Sequence, residues 1–128
     1  MMIDEPVSVS YKNFQTKAGL LLSDLLNDSS LTDVRLVTKD GVLNGHKVIL
    51  SAGSKGFRMM FENVNHPQPV IYMSMISITI LKKILDYIYL GKCEVPKEQP
   101  ADFLSHCKEL DIDGLAEVQG DKTNTQLL

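Results

Sequence analysis

At 128 residues and 14.3 kDa the chain has the size of one ordinary domain, able to bury a core without metals or disulfides. Hydrophobic residues at 44% and charged residues at 23% mark a globular protein, and thirteen basic against sixteen acidic residues, net −3, argue against a domain that grips a phosphate backbone by itself. No apolar run approaches the roughly 18–20 residues that span a bilayer, and Met1-Met2-Ile3-Asp4-Glu5-Pro6 has neither the basic flank nor the apolar stretch of a secretory signal.

The leader before Tyr11 is largely polar from Asp4 onward, with two valines, Val7 and Val9, in alternation. From Asn13 to Leu26 the spacing predicts a helix. Phe14, Ala18, Leu21, Leu22 and Leu25 share one face. Leu20 and Leu26 fall beside that stripe and widen the apolar arc beyond what one packing surface needs. Such a helix is either deeply buried in its own domain or shared with a second copy. A hairpin follows. Asp33 to Val37 alternates, with Val34 and Leu36 on one face; Asp40-Gly41 forms the turn, and Val42-Leu43-Asn44 begins the return strand.

After His46 the period changes. Val48, Ile49, Leu50 and Ala52 predict a short buried helix ended by Gly53. A second short helix, Ser54 to Phe61, is capped by Ser54 and presents Phe57, Met60 and Phe61. Asn65 to Pro69 is a loop, and Val70 to Met73 reads as a short buried strand. Ser77 then caps the strongest helix, with Ile78, Leu81, Ile84, Leu85 and Ile88 as its core stripe and Gly91 at its end. Tyr87 and Tyr89 cannot share a face of it. Cys93-Glu94-Val95 reads as a strand ended by Pro96. Ala101 to Leu110 is a helix with Leu104, Cys107 and Leu110 inward, and Asp111 to Val118 adds a last helical turn or two carrying Ile112 and Leu115. The fold class is therefore α+β, a small sheet flanked by helices, and not a doubly wound nucleotide binder.

The chemistry search yields no catalytic constellation. Cys93 and Cys107 form no CxxC, match no zinc spacing with the three histidines, and are expected as reduced thiols. Gly53-Ser54-Lys55-Gly56 lacks the phosphate-loop spacing. His46, at a strand-to-helix junction, reads as a hydrogen-bonded structural residue rather than a triad member. Asp111 and Asp113 read as acids favouring a helix N-terminus. Basic residues are dispersed and Trp is absent, so no stacking platform for nucleic acid is expected. Neither an enzyme nor a bound metal or cofactor is expected.

Four segments together resemble the BTB/POZ domain. They are Leu31-Thr32-Asp33-Val34, Gly45 to Ser54 followed by Phe57, Leu85 to Gly91 with Tyr87 and Tyr89, and the closing pattern Leu104, Cys107, Leu110, Ile112, Leu115. Val7 to Phe14 is similar to the N-terminal extension of the Tramtrack/bric-à-brac subgroup of arthropod transcription factors. The chain departs from that subgroup at Ser10-Tyr11-Lys12-Asn13, where an Arg-Trp-Asn run is usual. It also has Gly45 for the usual Ala and Gly56 for the usual aromatic, changes expected to loosen the second short helix.

The resemblance implies an N-terminal extension over 1–12, a BTB/POZ domain over 13–118 and a polar tail or linker over 119–128. It implies a protein–protein interaction module, typically a homodimer in which the first helix packs on its mate and an N-terminal strand carrying Val7 and Val9 is exchanged between subunits. The dimer interface would then hold Val7, Val9, Phe14, Ala18, Leu21, Leu22 and Leu25. Asp33 and Lys47 match a charged pair near that interface, worth about 0–1 kcal/mol at a surface and about 3–5 kcal/mol to break if buried. His46, Ser54, Phe57, Tyr87, Tyr89 and Gly91 belong to the structural motif. Two function classes follow. One is an oligomerisation module of a nuclear transcription or chromatin regulator, binding itself, related BTB proteins or co-regulator peptides. The other is a cytoplasmic adaptor that binds a cullin in a ubiquitin ligase.

Overall fold

The computed structural model describes residues 4–115. Eight elements follow in order: α1 (Phe14–Leu26), β1 (Val34–Thr38), β2 (Val42–Gly45), α2 (Lys47–Gly53), α3 (Lys55–Asn63), β3 (Val70–Met73), α4 (Ile78–Leu90) and α5 (Pro100–Glu109). β1 and β2 pair antiparallel with Leu36 opposite Leu43. β3 joins the other side of β1 in parallel, Leu36 opposite Ile71, giving the order β2-β1-β3. A parallel return needs a long crossover, which β2, α2 and α3 supply.

Alternation decides which side of the sheet is covered. Val34, Leu36 and Thr38 turn inward and are buried, while Arg35 faces solvent. The core beneath gathers Leu50, Phe57, Leu81, Ile84 and Cys107, all fully enclosed. α4 runs through its middle, because five of its thirteen residues (Ile80, Leu81, Ile84, Leu85 and Tyr89) are buried. Gly91 ends α4 at φ 81°, a conformation that glycine adopts without Cβ strain, and its N–H donates to the Tyr87 carbonyl at 2.8 Å.

Two aspartates of the hairpin hold the starts of two helices. Asp33 Oδ1 accepts from the Lys47 N–H at 2.7 Å, satisfying the first turn of α2, and Asp40 Oδ1 accepts from the Ile78 N–H at 2.7 Å, satisfying that of α4. Ser77 Oγ adds the Ile80 N–H at 3.2 Å, as its place before the helix predicts.

Several expectations are corrected. The buried stripe of α4 is rotated: Ile78 and Ile88 are only half-buried, and Ile80 and Tyr89 take the enclosed places. α2 buries Leu50 alone, leaving Val48 and Ala52 exposed, because only one face of so short a helix meets the core. β3 is not buried; it is an edge strand with Val70 and Tyr72 exposed. Cys93 to Val95 forms no strand, since among the described residues no strand lies beside it.

Residues 111–115 are turns rather than a helix, so Asp111 and Asp113 do not sit at a helix N-terminus. There Ile112 bridges to Ser54, and the chain closes on the α2–α3 elbow instead. Residues 116–118 of the expected turn, and the tail 119–128, lie outside the described residues. Phe103, absent from the expected inward face of α5, is buried beside Leu104 and Cys107.

A candidate self-association surface

α1 carries six apolar residues beside its Ala and Gly, yet none of its thirteen residues is buried. It packs against α4, and Leu25 and Leu26 at its end reach the core. Leu26, placed beside the predicted stripe, is thus one of the two anchors. The opposite side stays open, with Phe14 at 58%, Leu20 at 58% and Leu21 at 62% exposure. Ala18 and Leu22 lie half-buried between the two sides. The wide arc seen in the sequence is therefore two surfaces, one against α4 and one facing outward.

Upstream, Val7 and Val9 are almost wholly exposed and residues 4–10 form no regular structure. Tyr11 stacks edge-on against Phe14 with ring centroids 5.7 Å apart, which ties the leader to the first turn of α1. Here Asn13 takes φ 62°, a left-handed conformation that asparagine tolerates better than most residues. Phe14, Leu20, Leu21, Val7 and Val9 are too many large apolar groups at one end of a small domain to leave in water without a use.

Asp33 and Lys47 are both half-buried, and the contact between them is not charge to charge. It is the capping hydrogen bond from the Lys47 backbone. Asp33 therefore positions the start of α2 while leaving the Lys47 side chain uncommitted to it.

His46 stands immediately before α2 and is buried. Its N–H donates to the Tyr89 hydroxyl at 3.0 Å, and its Nδ1 lies 2.7 Å from the same oxygen. The hydroxyl accepts the backbone N–H and faces Nδ1, while Nε2 is buried with no hydrogen-bond partner among the described residues. Burial pushes the Tyr89 hydroxyl up to about 12 against its ordinary 10.0, the His46 N–H opposing the rise. His46 is thus hydrogen-bonded at the strand-to-helix junction, with Tyr89 as the partner that spacing alone could not name.

Ser54, fully enclosed, caps α3 as predicted: its Oγ accepts from the Phe57 N–H at 3.0 Å and donates to the Leu110 carbonyl at 2.6 Å. The Gly56 N–H donates to that same carbonyl at 2.9 Å, and a Cβ at Gly56 would sit 2.7 Å from it. The glycine thus tightens the start of α3 against the closing segment, contrary to the expected loosening. Tyr87, half-buried, donates its hydroxyl to the Asp113 carbonyl at 2.9 Å and fastens the same segment to α4. The motif residues build a scaffold, and nothing reactive converges in it. Burial pushes the Cys107 thiol up to about 12 and raises that of Cys93, so neither favours the reactive thiolate. Among the described residues no group of His, Cys, Asp and Glu is placed to hold a metal ion.

The comparisons with known proteins agree with this scaffold. The BTB/POZ domain family matches residues 22–127. The alpha isoform of the protein tramtrack from Drosophila melanogaster is 32% identical over 94% of this chain, which spans only 15% of that relative. The Longitudinals lacking protein-like of the same fly is 32% identical over 92% of this chain and 93% of its own length. Among solved structures, the BTB domain of zebrafish PATZ1 superposes with a TM-score of 0.69 at 26% identity, covering 82% of this chain and 88% of that one. The BTB domain of human Gigaxonin does so with a TM-score of 0.66 at 25% identity, covering 84% and 89%. The hairpin and the paired short helices are thus those of a BTB/POZ domain, a protein–protein interaction module, and the chain belongs to that family.

Proposed function

We propose that this domain makes homodimers of a nuclear transcription or chromatin regulator of the Tramtrack kind. The observation that carries the reading is the outward face of α1: Phe14, Leu20 and Leu21 are presented on a regular helix that its own domain does not cover. Fully burying such a side chain gains about 1.5–3 kcal/mol, so hiding the outer parts of three on each of two copies gives several kcal/mol toward association. A two-fold contact lets α1 meet α1 and covers both faces at once. Ala18 and Leu22 widen that contact, with Leu25 at its inner margin, and Asp33 and Lys47 lie near it.

Two further segments support an exchanged strand. Val7 and Val9 alternate in an unpaired leader, and Cys93 to Val95 has strand composition without a strand beside it. In the dimer the leader of each copy pairs with residues 93–95 of the other, and each supplies the hydrogen-bonding edge the other lacks.

Sedimentation equilibrium at micromolar concentration tests the reading. The expected mass is twice 14.3 kDa. Removing residues 1–10 is expected to weaken association at least tenfold while the fold persists. A monomeric parent would contradict the dimer, and unchanged association after the deletion would remove the strand exchange. A pull-down with a cullin N-terminal region separates this reading from the adaptor class; no capture is expected.

A further inference from the structure

From Lys12 to Asp28 the chain has four charged residues, Lys12, Lys17, Asp24 and Asp28. Both cations come first and both anions last. The two pairs are also nearly concentric: Lys17 and Asp24 are centred between Leu20 and Leu21, and Lys12 and Asp28 on Leu20. Lys12 immediately precedes the Asn13 cap of α1 and Asp28 immediately follows the Asn27 cap, so the pattern runs the whole length of the helix. At about 100° per residue, Lys17, Leu20, Leu21 and Asp24 fall within one arc of roughly 100°, and all four are exposed. The outward face of α1 therefore has leucines at its middle, a cation one turn to the N-terminal side and an anion one turn to the C-terminal side.

The helix itself gives no reason for this order. A helix favours acids in its first turn and bases in its last. α1 has neither, and its charges run the opposite way. Lys17 and Asp24 are two turns apart, about 10.5 Å along the axis, too far to pair with each other. Among the described residues neither side chain has an ion-pair partner.

We propose that these charges select the partner: α1 docks antiparallel on α1 of a second copy, Lys17 against Asp24 of the partner subunit, with the two-fold axis at Leu20 and Leu21. The inference rests on the dimer reading above and adds to it the direction of pairing and the kind of chain that fits. Turning one helix end for end sets its anionic half beside the cationic half of the other. Both Lys17–Asp24 contacts then form at once, and Lys12 and Asp28 extend the match at the ends. A parallel arrangement sets lysine beside lysine and aspartate beside aspartate. The antiparallel order also puts the positive end of each helix dipole beside the negative end of its mate. The leucines supply the dry centre, and the charges around it fix register and discriminate between partners. A related chain with another charge order on this helix loses the match, so the pattern favours a like chain.

Sedimentation equilibrium of the full chain, over a dilution series, compares the parent with Lys17→Glu, with Asp24→Lys, and with an equimolar mixture of the two variants. In either variant alone both contacts become like-charged, and association is expected to weaken about tenfold, as two surface pairs change sign. Both substitutions agree with the helix dipole, so the melting temperature of the dissociated chain is not expected to fall. In the mixed pair the carboxylate introduced at position 17 meets the ammonium introduced at position 24, and the native Asp24 and Lys17 meet at the other contact. The mixture is therefore expected to regain the affinity of the parent. With a dimeric parent, variants that associate as tightly as the parent, or a mixture no tighter than its components, overturn the charge match and leave the dimer standing. A monomeric parent overturns both.

Discussion

α1, rich in leucine, and α4, rich in isoleucine and leucine, are both thirteen-residue helices, and they lie against each other. α4 encloses five side chains and has charged residues only on its outer face; α1 encloses none and shows leucine and phenylalanine to water. Hydrophobic content therefore does not separate them. What separates them is what lies on the far side. α4 is surrounded by β2, α2, α5 and α1, whereas α1 has α4 on one side and, among the described residues, leaves Phe14, Leu20 and Leu21 uncovered on the other. A helix with so broad an apolar arc belongs inside something, and for α1 the proposed dimer would supply it.

Truncation should expose the contrast most sharply. Ile84→Ala, at the centre of α4 and fully enclosed, is expected to cost about 2–5 kcal/mol of folding stability by urea denaturation. Leu20→Ala on α1 is expected to change the stability of the dissociated chain by less than about 0.5 kcal/mol, as at other exposed sites, and to weaken association instead. Equal losses of folding stability would erase the distinction between the two helices.

The polar side of α4 gives the next largest effect. Tyr89→Phe removes the acceptor of the buried His46 N–H and the partner of Nδ1, and should destabilise by about 1–3 kcal/mol. α1 has no buried hydroxyl of this kind to lose. The same residue gives α4 a pH dependence. Tyr89 keeps its proton in the folded chain up to about 12, whereas an unfolded tyrosine releases it near 10.0. Cys107 behaves likewise between 9.0 and about 12. In that window the folded state binds more protons than the unfolded state, so stability is full below about pH 9 and falls as pH rises toward 12. Urea melts at pH 8 and pH 11 should show a loss that is smaller in Tyr89→Phe. A stability that rises across the window would contradict this account.

Much of the fold was legible from periodicity and caps. The Ser54 and Ser77 caps, the Gly91 terminator and the Asp40-Gly41 turn all follow from local chemistry. The failures share a cause: they depend on what lies opposite. The Ile78–Ile88 stripe was misplaced because His46, forty-three residues away, draws the Tyr89 hydroxyl inward. Cys93 to Val95 has the composition of a strand, but composition carries no information about a pairing partner. Asp111 to Leu115 has helical spacing and yet closes as turns, since the Lys55 N–H donates to the Asp111 carbonyl and the Asp113 N–H donates to the Gly53 carbonyl. Of the candidate surface, the breadth of the α1 arc was readable; that Asp33 caps α2 rather than pairing with the Lys47 side chain was not, because a carboxylate beside a helix start and one beside an ammonium have the same sequence.

The measurement closest to the central claim is the mass and melting temperature of Leu21→Asp, followed together. Leu21 is exposed in the single chain, so the account predicts one-copy mass at the α1 contact with helical signal and cooperative melting retained. A folded Leu21→Asp chain that still associates through α1 as tightly as the parent would contradict it.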